Sequence, residues 1–190
     1  SFQSLLKPRM LKLSEWPSDY TDYVVEYASR IGSQEVRPTI VRYAISQAQK
    51  YCRDHGDEAA SECRVCFIER LLSRLRFGNP LRYVTTPELI AHIRAVTGVR
   101  LHRDQLRREV VGPLRDEDVL IASSRQGYKL PVTKGDLYDF VNHGNSIMVP
   151  MMARLRRFRD GVRLASNGEL DVLAEPEYVE LREYLDRSER

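Results

Sequence analysis

The sequence predicts a mainly α protein with one small β element, and three observations carry that prediction. Apolar residues recur at helical spacings of three and four through several segments. Two short runs of strand formers, Val119 to Ala122 and Gly127 to Pro131, flank a polar tip. A seam of alternating three and four spacing then extends over residues 137–162. With 42% hydrophobic residues in a chain of 190, a sizeable core is within reach. No apolar run approaches the roughly 20 residues that cross a bilayer, and no secretory leader opens the chain, so a cytoplasmic location is expected.

Taken in order, Ser18 can cap a helix running to about Ile31, with Trp16 and Pro17 ahead of it and Gly32 stopping it. A second helix should start at Pro38, where the missing N–H costs nothing, and end at Gly56. The third, about Ala59 to Phe77, places Val65, Ile68, Leu71, Leu72 and Leu75 on one face and leaves Arg64, Arg70, Arg74 and Arg76 to solvent.

Past Gly78-Asn79-Pro80, a short strand, Leu81 to Val84, runs straight into a helix start. Thr85 and Glu88 have capping-box spacing, Thr86 is an alternative cap, and Pro87 suits the first turn. Leu89, Ile90, Ile93 and Val96 give that helix its buried stripe, and Gly98 ends it. A further helix from about Arg103 buries Leu106, Val110 and Leu114, with Gly112-Pro113 set to kink its last turn. The two strands and their tip, Ser123-Ser124-Arg125-Gln126, follow.

The order helix, short strand, helix, turn, helix, strand, basic loop, strand resembles the winged helix-turn-helix superfamily, with Leu81 to Pro131 as its centre. The resemblance covers about seventy residues once the preceding helix is included. The full fold class is thus a helical N-terminal region (1–58), a winged helix-turn-helix (59–132), a long helix (133–165) and an acidic C-terminal tail (166–190).

The resemblance implies a recognition helix lying in the major groove of double-stranded DNA. If Leu106 and Val110 face the core, Asp104, Gln105, Arg107 and Arg108 point outward, with His102 and Arg103 at the leading end. Arginine suits guanine or phosphate, and glutamine suits adenine. At the wing, Arg125 and Lys129 would reach the backbone or the minor groove, while Tyr128 packs inward. The alternative for the arginines is a solvated helix face, and Asp104, Glu109 and the acidic run Asp116-Glu117-Asp118 count toward it.

Charge distribution permits an anionic partner. Residues 166–190 hold eight acidic residues against Arg182, Arg187 and Arg190, near −5, which leaves the rest of the chain near +8 within an overall +3. After the hairpin, Thr133 and Asp136 can cap a helix whose seam is Leu137, Val141, Gly144, Met148, Met151, Leu155, Phe158 and Val162. Such a seam fits a homodimer through residues 137–162; the other reading is a helix bent at Pro150 that packs back on the N-terminal helices.

All three cysteines fall within fifteen residues, as Cys52-x-x-His55 and Cys63-x-x-Cys66. The set could hold structural zinc, though a helix burying small apolar residues gives the same spacing, and no cofactor is the leading expectation. No nucleophile elbow, phosphate-cradling loop or metalloprotease motif is present, so no catalysis is expected of this chain. The first residue is Ser1, which fits a piece of a longer polypeptide with a domain upstream. Three functions fit: sequence-specific DNA binding in transcription regulation, a winged-helix interaction module, and the DNA-targeting part of a larger nuclease- or transposase-like protein.

Overall fold

A computed structural model describes residues 20–188. The chain is mainly helical, with one two-stranded antiparallel sheet among the described residues. It divides into two compact units, one up to Phe140 and one from Val141 onward. The expected cap Ser18 and the Trp16-Pro17 pair lie outside the described residues.

In the first unit, α1 (Tyr20–Ile31), α2 (Pro38–His55) and α3 (Glu62–Phe77) form where the apolar periodicity places them. Val24 and Ala28 from α1, Val41, Ala44 and Ala48 from α2, and Phe67, Leu71 and Leu72 from α3 are all buried in one core. That core continues through Val84, Leu89, Ile93, Leu106, Val110 and Leu114 to Val132. The described part of residues 1–58 and residues 59–132, distinguished in the sequence, therefore share it. Each of the larger of these apolar side chains contributes about 1.5–3 kcal/mol relative to exposure. The Tyr20 hydroxyl donates to the Leu72 carbonyl at 2.6 Å and ties α1 to α3.

The arginines of α3 are not left to solvent. Arg70 Nη2 and Arg74 Nη2 reach the Glu88 carboxylate at 2.6 and 2.8 Å, and Arg74 Nη1 also donates to the Tyr83 carbonyl. Burial pushes the Glu88 carboxyl up, but the two guanidiniums outweigh it and hold the group below its ordinary value. This clamp joins α3 to α4 (Thr86–Thr97). Thr85 Oγ1 caps α4 by accepting from Glu88 N–H at 3.3 Å, while the Glu88 carboxylate is drawn to the arginines. Gly98, at φ 77°, ends the helix in the left-handed conformation that glycine adopts without strain. Val96, expected in the buried stripe, is exposed.

Residues 103–116 form one helical rod in three parts: α5 (Arg103–Gln105), a π-helical turn (Leu106–Val111) and α6 (Gly112–Asp116). Pro113 explains the wide turn, since it has no N–H for the Glu109 carbonyl and its ring would crowd that oxygen in a regular helix. Arg64 Nε of α3 donates to the Glu109 carbonyl at 3.1 Å and satisfies the acceptor that Pro113 leaves open. The expected kink is thus a one-residue widening.

The hairpin is shorter and tighter than its apolar runs suggest. β1 (Ala122–Ser124) pairs antiparallel with β2 (Gly127–Lys129), so the tip is Arg125-Gln126 alone. Val119 and Ile121 sit in the core instead of in the ladder. On the other side of β2, Val84 and Tyr128 exchange both backbone hydrogen bonds, at 2.8 and 2.9 Å. The Leu81 to Val84 strand is reduced to this single bridge. Gly127 has φ 142°, and a Cβ there would collide with the Val84 carbonyl oxygen, so the close approach of the two segments requires glycine.

Two backbone hydrogen bonds, Arg37 N–H to the Val132 carbonyl and Lys134 N–H to the Glu35 carbonyl, lead the chain past the α1–α2 connection into α7 (Lys134–Ala165). Thr133 Oγ1 accepts from Asp136 N–H at 3.2 Å, and Asp136 Oδ2 accepts from Val132 and Thr133 N–H, as the capping expectation requires. Pro150 lies inside α7 without ending it.

The second unit corrects the acidic tail: the described part of residues 166–190 is folded. After Asn167 and Gly168, both at positive φ, the chain leads to α8 (Val179–Arg187), and Leu173 and Leu185 are buried. Arg159, 5% exposed, grips Asp171 with two hydrogen bonds of 2.9 and 2.8 Å and reaches Asp186 at 2.8 Å. The Arg159 hydrogen bonds hold the Asp171 carboxyl far below the usual carboxylate range. Two residues of the acidic tail expected from sequence, Asp171 and Asp186, are thus partners for α7.

Candidate nucleic-acid interface

The 103–116 rod separates its residues by periodicity. Leu106, Val110, Val111 and Leu114 are buried, which leaves His102, Arg103, Asp104, Arg107, Arg108 and Glu109 exposed on the opposite side. The π-turn supports this division, because one extra residue in the turn rotates the following part of the helix and keeps both Val110 and Val111 inside. Arg107 and Arg108 keep side-chain exposures of 71% and 72%, and each has only a long contact, 3.4 Å, to Asp104 or Glu109. Exposed pairs of this kind are worth about 0–1 kcal/mol, so either guanidinium can turn to another partner at little cost.

Gln105 is placed differently from the expectation. Its Oε1 accepts from the His102 backbone N–H at 2.9 Å and caps the start of the rod. A bidentate contact to adenine needs both the oxygen and the amide N–H₂, so Gln105 would first have to give up the cap.

The wing residues diverge as well. Arg125 is exposed at the hairpin tip. Lys129 is 1% exposed, with Nζ 2.7 Å from Asp136 Oδ2 and 5.6 Å from the centre of the Tyr83 ring. It therefore cannot contact DNA in this conformation, which corrects its assignment to the interface. The cause is the face on which it lies. Tyr128 packs edge-on against Phe67 at 5.7 Å, so alternation along β2 puts Lys129 on the opposite face, and the start of α7 covers that face. Burial pulls the Lys129 ammonium below its ordinary value, while the Asp136 carboxylate opposes that shift.

Sequence reasoning overlooked Arg100, exposed in the turn just ahead of the rod, and Arg94 and Arg82, exposed on α4 and just before Val84. Arg100 had a signal, since it precedes the helix start by three positions. With it, five basic side chains (Arg100, His102, Arg103, Arg107 and Arg108) are exposed within nine residues, against Asp104 among them and Glu109 just after.

The cysteine and histidine set does not assemble. Cys52 and Cys66 are buried in the core, and burial pushes both thiols up to about 12. Cys63 Sγ faces Thr97 Oγ1, and both His55 ring nitrogens are used, Nδ1 with Glu58 at 2.8 Å and Nε2 with Glu117 at 3.1 Å. Among the described residues no group of three His, Cys, Asp or Glu side chains is placed to hold a metal.

Among the described residues no helix is long and apolar enough to cross a membrane. Compared with known proteins, the chain matches no family model, no curated protein and no solved structure.

Proposed function

We propose that residues 62–129 are a winged helix-turn-helix and that the chain binds double-stranded DNA with the 103–116 rod in the major groove. The order α3, Val84 bridge, α4, rod and hairpin supports the first part, together with the place of β2 between Val84 and β1. One observation carries the second: the cluster from Arg100 to Arg108 is exposed on the side of the rod opposite its buried Leu106, Val110 and Leu114, with no short internal partner for Arg107 or Arg108. Phosphate contacts by such side chains fix register, and base-edge contacts by one or two of them give sequence preference. Arg125 at the hairpin tip would hold the flanking backbone. Transcription regulation is the role this best fits.

A second copy of the chain is the partner we propose for α7. Along its seam Val141, Met148, Met151 and Phe158 are each more than half exposed, and with Gly144 and Leu155 they keep the alternating three and four spacing that suits an identical helix. A two-fold dimer would read a palindromic target. Fluorescence anisotropy with labelled duplex DNA tests the principal reading: the wild-type chain should bind and the R107A/R108A variant should not. Equal binding by both proteins, or by neither, would remove the rod from the interface and leave the exposed arginines as a solvated face.

A further inference from the structure

Arg115 is the one member of the rod's second half whose charge is half-buried without a carboxylate beside it. Its Nε and Nη2 donate to the Ile121 carbonyl, at 3.3 and 2.8 Å, and Nη2 also donates to Ser123 Oγ at 3.1 Å. The Phe140 ring lies 4.1 Å from the guanidinium carbon. Among the described residues nothing accepts from Nη1, and no acidic side chain forms an ion pair with the group. A guanidinium stays charged, so withdrawing it from water without an opposite charge is unfavourable.

Arg115 also lines a cavity of about 320 Å³ whose other walls are mostly apolar: Val119, Leu120, Ile121, Pro131, Leu137 and Phe140. That volume is at the small end of ligand pockets. Two carboxylates also border it. Asp136 is already occupied by Lys129 Nζ and by the Val132 and Thr133 N–H groups. Asp118 is exposed and free of ion pairs among the described residues, so it is the single charge opposing an anion there.

We propose that this cavity binds a small amphipathic carboxylic acid, with the carboxylate on Arg115 and the apolar body between Ile121, Leu137 and Phe140. The guanidinium face against Phe140 leaves its edge for the carboxylate, and the apolar walls supply the area that holds the tail. Because Arg115 belongs to the rod and Ile121 leads into β1, the ligand would touch the two elements on either side of the acidic 116–118 turn. The binding is defined and measured in the absence of nucleic acid, so it stands apart from the DNA reading.

Calorimetric titration of the full chain with 4-phenylbutyrate, beside the uncharged 4-phenyl-1-butanol, tests the proposal. The acid should bind at least about tenfold more tightly than the alcohol, the worth of one charge-assisted hydrogen bond. D118N, which removes the opposing charge at an exposed position where asparagine accepts the positive φ, should tighten the acid and leave the alcohol unchanged. F140A should weaken both. Equal affinity for acid and alcohol, no binding of either, or no response of the acid to D118N would overturn the assignment. Because the comparison of the two ligands uses the wild-type protein, it does not depend on an Arg115 variant that could release Ile121.

Discussion

The cations of α3 and those of the 103–116 rod look alike in sequence and end in opposite situations. Arg64, Arg70 and Arg74 each find an acceptor on a neighbouring element: the Glu109 carbonyl, the Glu88 carboxylate and the Tyr83 carbonyl. Arg107 and Arg108 meet only long contacts to Asp104 and Glu109 within their own rod. The hairpin repeats the contrast over a few residues, with Arg125 exposed and Lys129 enclosed. A charge run is therefore left open to an outside partner only where the fold supplies no short contact. Where it does, the charge belongs to the core's periphery and its removal costs stability.

Substitutions on the two sides of this divide should give opposite signatures. The largest effect is expected from K129M, which leaves the Asp136 carboxylate buried and unpaired at the start of α7. Urea unfolding should show a loss of about 3–5 kcal/mol. A loss below about 1 kcal/mol would mean that Lys129 is not held as described. E88Q should cost about 1–2 kcal/mol, because it weakens the partly exposed clamp of Arg70 and Arg74 that joins α3 to α4. R107A/R108A should change unfolding free energy by no more than about 0.5 kcal/mol, since neither side chain has a tight partner. A large destabilisation there would place these arginines with the α3 group and erase the contrast.

The smallest effect should depend on pH. The hydrogen bond that His55 Nδ1 donates to the Glu58 carboxylate is the main cause that raises the His55 pKa above its ordinary value, and Glu117 adds to it. A group raised on folding stabilises fully below its unfolded pKa, and the contribution fades as pH rises through the folded value. Glu58 is lowered by the same contact, so its share is lost toward acid. The difference in melting temperature between wild type and H55Q should thus be greater at pH 5.5 than at pH 9. An equal difference at both values would show that the imidazolium contributes nothing.

Helix positions were legible in the sequence because apolar spacing, Pro38, Gly56, Gly98 and the Thr133–Asp136 cap are local signals. What was not legible depended on distant partners. Nothing near Arg70 in sequence points to Glu88, and nothing near Lys129 shows that the start of α7 covers its face of β2. The acidic stretch after residue 166 read as a tail because its basic partner, Arg159, lies on the preceding helix. The outward placement of Arg103, Arg107 and Arg108 was readable, because the buried face of the rod is fixed by Leu106 and Val110. The capping contact of Gln105 and the burial of Lys129 were not.

The salt dependence of duplex DNA binding tests the central claim most directly. If the outward cations hold phosphates, the logarithm of the binding constant should fall steeply against the logarithm of salt concentration. R107A/R108A should make that slope shallower by about 0.9 for each phosphate that is no longer neutralised, while leaving the folded state intact. A slope near zero for the wild type, or one unchanged in the variant, would contradict it.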